Sequence, residues 1–244
     1  MAVQVEPTVG GDFDPWSTPD LVQTVLADGT PIVILPVGPD IAEHDLFREQ
    51  LLAHYAELSE ESRHRRFLSS APELTESMLA RLVDSVDNAD HVVLTAQVLD
   101  NAAGMHPMHG SLVGLPVGLA RFIRDPQRPE AAEAAVTVVD AWQKRGIGGL
   151  LVWSLARAAL RRGITTFVAD VLASNEAPLA LMRYAGTVTR GSVDQGAVHV
   201  ESALRGIPPL SAVTAGQAAV IAAQTRTAPG PEGDRSSGCS ASDR

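Results

Sequence analysis

The sequence predicts an α/β fold, a mixed central β-sheet flanked by helices, and two observations carry that expectation. A β-branched run, Val136-Thr137-Val138-Val139, leads through a turn holding Gly146 and Gly148 into an amphipathic stretch from Gly149 to Arg162. Such a strand–turn–helix unit is the building block of α/β architectures. The second observation is the order in which apolar periodicity changes between two and 3.6 along the chain. It reads strand–helix–helix–helix–strand–strand–strand–helix–strand–helix–hairpin.

Each element has its own signal. Pro31 to Val37 is a short apolar run that suits a first strand. Asp40-Ile41-Ala42-Glu43 has capping-box spacing and opens a helical pattern through Leu46, Phe47, Leu51 and Tyr55. In Ser59-Glu60-Glu61-Ser62-Arg63-His64-Arg65-Arg66 the acids precede the bases, which complements a helix dipole. Thr75 caps a third helix with Met78, Leu79, Leu82 and Val83 on one face. His91 to Leu99, Val117 to Ile123 and Ala132 to Val139 read as strands, with a Gly/Pro/Met/His loop from Asp100 to Pro116 between the first two. Leu151, Leu155 and Ala158 line one side of the long helix, and Arg161-Arg162-Gly163 end it. Thr165 to Leu172 is a strand, Asn175 to Tyr184 a short helix, and Val188 to Leu204 a hairpin around Asp194-Gln195-Gly196.

Composition narrows the class. A hydrophobic content of 45% is that of a soluble globular protein, and no apolar run approaches the roughly 18 residues of a membrane span. The N-terminus lacks the basic region of a secretory signal. The one cysteine, Cys239, lies in a Ser/Gly-rich stretch. It forms no disulfide framework and suits a reducing cytoplasm, the expected location. A formal net charge of −10 disfavours nucleic acid as a partner and modestly favours a cationic substrate. Residues 1–29 are expected to be a flexible lead-in, 30–207 the folded domain, and 208–244 a disordered Ala/Ser/Gly/Pro tail.

The chemistry concentrates in the turn. A helix N-terminus offers N–H groups without intrahelical partners and a partial positive charge, which together hold phosphate oxygens. Its spacing fits neither G-x-x-x-x-G-K-[ST] nor G-x-G-x-x-G. Gln143-Lys144-Arg145-Gly146-Ile147-Gly148 instead resembles the Q/R-x-x-G-x-G/A pyrophosphate loop of the GNAT superfamily of CoA-dependent N-acyltransferases. The element order is also similar to that family's, from about Thr30 to Leu204. Leu58-Ser59-Glu60-Glu61-Ser62-Arg63-His64-Arg65-Arg66-Phe67 further resembles the LS-x-ESR…RF segment of bacterial protein-lysine acetyltransferases of the Pat type.

The resemblance implies about six to seven strands, about four to five helices, and central strands splayed into a CoA cleft. It implies acetyl-CoA as cosubstrate, with no metal, and transfer to a primary amine, preferably a protein lysine. The alternatives are a small-molecule amine acceptor or a weakly catalytic acyl-CoA sensor or scaffold. Glu133 falls on the family's general-base glutamate, and its apolar neighbours would raise its pKa. Val138 and Val139 fall where backbone groups grip the pantetheine arm and acyl carbonyl. Gln143, Lys144, Arg145, Gly146, Ile147, Gly148 and Gly149 would cradle the pyrophosphate, and Asn175 would open the second wall of the site. Met182 stands where many members keep a tyrosine acid; Tyr184 lies two residues on, about 200° round the helix, which leaves thiolate protonation to solvent. His106 and His109 lack a Cys, Asp or Glu partner at ligand spacing.

Overall fold

The computed structural model describes residues 18–39, 45–67, 73–83, 86–99, 114–175, 177–194, 196–204, 207, 209–211 and 213. The capping-box residues Asp40–Glu43, the His106/His109 loop and Cys239 lie outside them. The described elements run β1 (Val22–Val25), β2 (Pro31–Pro36), α1 (Asp45–Ala56), α2 (Glu60–Phe67), α3 (Glu76–Val83), β3 (His91–Val98), β4 (Leu115–Arg124), β5 (Ala131–Val138), a 3-10 turn (Asp140–Trp142), α4 (Ile147–Arg161), β6 (Thr166–Leu172), α5 (Ala177–Met182), β7 (Thr187–Asp194) and β8 (Ala197–Ala203). The strands form one sheet in the order β1-β2-β3-β4-β5-β6-β8-β7. Every neighbouring pair is antiparallel except β5 and β6, which run parallel.

One strand more appears than the sequence suggested. Val22–Val25 pairs antiparallel with the first four residues of β2, from Val22↔Ile34 to Val25↔Pro31. It lies inside the segment read as a flexible lead-in. Its turn is held by Thr30 N–H donating to Asp28 Oδ1 at 3.0 Å, with Gly29 at φ +88°. The cue was weak because the strand is only four residues long and alternates imperfectly between buried and exposed. Just before it, Asp20 is buried and ion-paired with Arg161 and Arg162 at the far end of α4, which fixes the start of the fold.

The two faces of the sheet bury different clusters. On one, α4 packs its apolar stripe of Leu150, Leu151, Leu155 and Ala158 over Val92, Leu94, Ala120, Phe122 and Ala132. The α4 stripe sits close to the sheet because Gly118 carries no side chain; a methyl there would come within 2.9 Å of Leu151 Cδ1. On the other face Phe47, Leu51, Tyr55, Leu58, Leu79, Leu82 and Val83 of the α1–α3 region cover Val37 and Val93. With both faces covered, β3 is buried through seven of its eight residues.

Candidate functional site

The defining irregularity is where β5 and β6 separate. They pair only at Ala131↔Thr166, Ala132↔Phe167 and Glu133↔Val168, whereas β5 stays paired with β4 as far as Val138. From Ala134 onward the β6-side edge of β5 is therefore open, over about 17 Å of strand. Which groups face that opening follows from one bond. Val139 N–H donates to Val117 C=O at 3.0 Å. Antiparallel ladders alternate, so Thr137, Ala135 and Glu133 also turn their backbone groups toward β4. Ala134, Val136 and Val138 turn theirs into the cleft.

This narrows the expected grip on a bound arm. Val139 is committed twice, since its C=O also accepts Trp142 N–H at 2.8 Å, and its side chain is buried. Its N–H is thus spent on β4 and its C=O already serves the 3-10 turn. Val138 keeps its N–H toward the cleft, while its C=O accepts Gln143 Nε2 at 3.1 Å. Sequence pattern could not tell which of the two adjacent valines faces the opening; ladder phase does.

Beyond β5 the chain turns through Asp140–Trp142 into the glycine loop. Lys144 (φ +61°) and Gly146 (φ +90°) both occupy the left-handed region. Gly146 is the N-cap of α4 and makes no side-chain cap; its C=O accepts Leu150 N–H at 3.1 Å. By position, the N–H groups of Ile147, Gly148 and Gly149 have no intrahelical acceptor. They stand at the positive end of a helix of fifteen residues.

The glycines do not share one task. Gly146 allows the reversal. At Gly148 a methyl would lie 3.2 Å from Leu181 Cδ2, and at Gly149 3.2 Å from Tyr184 Cε2. Those two positions are small so that α5 and the Tyr184 ring can close on the start of α4. Tyr184 thus has a packing role. Met182 is buried in the α4 core, with its C=O accepting from Ser202 Oγ at 3.2 Å.

The polar loop residues divide likewise. The Gln143 amide nitrogen is engaged within the fold: Nε2 lies 2.6 Å from Asp140 Oδ1, 3.1 Å from Val138 C=O and 3.2 Å from Ser62 Oγ. Arg145 stacks over the Trp142 ring at 4.4 Å and reaches Asp28 Oδ2 at 3.4 Å. Lys144 is exposed. Asn175 is buried and its Oδ1 accepts Ala177 N–H at 3.3 Å, capping α5.

Glu133 stands at the apex, the last residue of β5 paired with β6. Leu119 packs with the α1–α3 cluster and pairs with Thr137. Period two then places Ala135 and Glu133 on that same face. Glu133 is exposed there; the apolar burial expected for it is absent. Along the open arm of β6 on this face, His199 Nδ1 meets Asp170 Oδ1 at 2.9 Å, and Arg128 pairs with Glu201 at 2.7 Å. The guanidinium of Arg128 holds Glu201's carboxyl below its usual range.

The 58–67 segment does two things. Ser59 Oγ accepts Ser62 N–H at 3.2 Å and caps α2. Arg63 Nε donates to Leu58 C=O at 2.9 Å while its guanidinium covers the Tyr55 ring at 5.2 Å, closing the α1–α2 corner. Ser59 N–H and Ser62 Oγ–H, the latter at 2.6 Å, both donate to the Asp140 carboxylate. Spacing alone gave no sign of that long-range tie. No cluster of metal-ligating side chains occurs among the described residues, and no described helix is long and apolar enough to cross a membrane.

The sheet opens between parallel neighbours, and a glycine-turned helix start lies at the opening. Residues 73–186 match the acetyltransferase (GNAT) family. The GNAT domain of S. lividans PAT superposes with a TM-score of 0.60 at 28% identity, over 76% of this chain and 97% of that one. The chain carries a GNAT acetyltransferase domain. Within that family it is similar to the acetyltransferase Pat of Mycolicibacterium smegmatis, at 33% identity over 165 residues, or 68% of this chain. The match spans 44% of that relative's length, so the chain covers less than half of it.

Proposed function

We propose that the domain transfers an acetyl group from acetyl-CoA to a primary amine, preferably a protein lysine, by direct attack in a ternary complex. The observation that carries this reading is the parting of β5 from β6 immediately after Glu133↔Val168. It leaves an open strand edge that runs from an exposed carboxylate at the apex to the glycine loop at the mouth.

Each part has a chemical task. The N–H groups of Ile147, Gly148 and Gly149, with the charges of Lys144 and Arg145, hold the pyrophosphate. The open edge at Ala134, Val136 and Val138 binds the pantetheine arm in strand fashion and directs an N–H at the acyl oxygen, where negative charge develops. Asn175 supports the second wall by fixing the start of α5. A lysine amine has a pKa near 10.4, so neutralising it at pH 7 costs about 4.6 kcal/mol. Glu133, exposed at the apex, takes that proton through water. The amine nitrogen then bonds to the acyl carbon and gives up its second proton to solvent, the carbon–sulfur bond breaks, and the departing thiolate takes a proton from solvent. No side chain substitutes as acid at the buried Met182.

The acceptor lysine is supported by similarity to Pat and by the acidic groups Asp170 and Glu201 on the face of Glu133. The test is to incubate the purified chain with acetyl-CoA and a panel of proteins, polyamines and amino acids, measuring thiol release and locating acetyl groups by mass spectrometry. Turnover on protein lysines is expected. Turnover on small amines alone reassigns the acceptor, and CoA-dependent thermal stabilisation without turnover on any amine refutes catalysis.

A further inference from the structure

Asp140 is an acid at the foot of a loop that has to hold phosphates, a placement that Coulomb repulsion disfavours. Its surroundings supply the reason. The carboxylate accepts Ser59 N–H and Ser62 Oγ–H from the first turn of α2, and Gln143 Nε2–H from the loop itself. Burial works against its charge, but the hydrogen bonds from Ser62, Ser59 and Gln143 outweigh that and hold the carboxyl below its usual range. The N-terminus of α2 adds a favourable dipole. One side chain therefore joins two elements 78 to 81 residues apart in sequence.

The two elements do different work. Gln143 anchors the loop to Val138 C=O at the end of the open strand edge. Helix α2 packs on β5 and belongs to the face on which Glu133 is exposed, the face an acceptor would approach. The shared carboxylate links the two directly. Ser62 Oγ completes a closed ring, since it donates to Asp140 Oδ1 and receives Gln143 Nε2.

We propose that Asp140 is a positioning residue that couples occupancy of the glycine loop to the α2 wall of the acceptor side, through Gln143 on one side and Ser59 and Ser62 on the other. The proposal rests on the loop being the CoA pyrophosphate site. Filling the loop then fixes Gln143 and the carboxylate, and with them the start of α2. Asp140→Asn keeps an oxygen for Gln143 or Ser62 but sets an NH2 group against the Ser59 N–H, a donor against a donor, so the link to α2 breaks first. Ser62→Ala removes only the hydroxyl and leaves the carboxylate intact.

The measurement is amide hydrogen exchange on the full chain, with and without CoA, read in residues 144–150 and 60–66. In the wild type CoA slows exchange in both segments. In Asp140→Asn the loop segment stays protected, with CoA affinity within about threefold, while protection of α2 is lost; Ser62→Ala loses part of it. In steady state the acceptor KM rises about tenfold in Asp140→Asn with little change in the acetyl-CoA KM, the size expected for one hydrogen bond to a charged group. CoA-linked protection of α2 that survives in both variants overturns the coupling, as does its absence from the wild type when the loop is protected. Failure of CoA to protect the loop in the wild type instead removes the pyrophosphate-site reading beneath it.

Discussion

Asp20 offers the sharpest test of how the start of the fold is fixed. Its carboxylate is 3% exposed and bonds Arg161 and, at 2.8 Å, Arg162, whose side chains are 31% and 20% exposed. Burial disfavours its charge, yet the bonds from Arg162 and Arg161 more than compensate and lower its pKa below the usual carboxylate value. Replacing Asp20 with Asn leaves two guanidinium groups facing an uncharged amide. Removing one partner of a buried pair costs about 3–5 kcal/mol; both arginines reach water here, so about 2–3 kcal/mol is expected. For a domain of this size that is about 5–10 °C in Tm. Because the folded-state pKa is depressed, the contribution is fully present above the unfolded value near 3.9. It is lost as pH falls through the lower folded value. Denaturant unfolding of wild type and Asp20→Asn between pH 8 and pH 2.5 should show a constant gap down to about pH 4 that closes below it. CoA affinity should be unaffected, since the loop lies at the other end of α4, about 22 Å away. A gap below about 0.5 kcal/mol at neutral pH, or one that does not narrow in acid, refutes the reasoning.

Further predictions concern the core and a turn. His54 in α1 has a pKa lowered to about 4 by burial, and its Nε2 has no hydrogen-bond partner among the described residues. The native state resists protonation that the unfolded chain accepts near pH 6.5, so stability should fall from about pH 6.5 toward pH 4. His54→Leu should remove about 3 kcal/mol of that fall over the interval, measured by chemical denaturation; an unchanged slope rules His54 out as its source. At Gly186 an added methyl would lie 1.8 Å from Ala203 O, a backbone atom of β8. Gly186→Ala should lower stability by about 3 kcal/mol in denaturant melts, and a loss under about 1 kcal/mol would show that the turn leading into β7 can move off β8.

The long-period features were legible in the sequence because one physical pattern dominates each of them. The α4 stripe of Leu151, Leu155 and Ala158 and the strand run at 136–139 identified their elements, and Gly146 and Gly148 marked the turn between them. The lead-in at 22–25 escaped because four residues carry too little alternation, and because its anchor, Asp20, finds its partners 141 and 142 residues away. The site shows the same division. Glu133 and the loop were placed by local pattern. Val139's commitment to β4 depends on ladder phase, and Gln143's inward amide depends on Asp140 and Ser62, which only folding brings together. Pattern assigns Gly148 and Gly149 to a pyrophosphate cradle, and the fold shows that their lack of a side chain also admits Leu181 and Tyr184. Spacing shows that a residue must be small without showing which neighbour requires it.

The central claim is that Glu133, at the apex of the open cleft, serves as base for acyl transfer to an amine. Its most direct test compares kcat and CoA affinity for wild type and Glu133→Gln, which preserves shape and removes only the basic oxygen. With a competent amine acceptor, kcat should fall about tenfold or more at neutral pH, while calorimetric CoA affinity stays within about twofold. Equal turnover by the two proteins would contradict the claim.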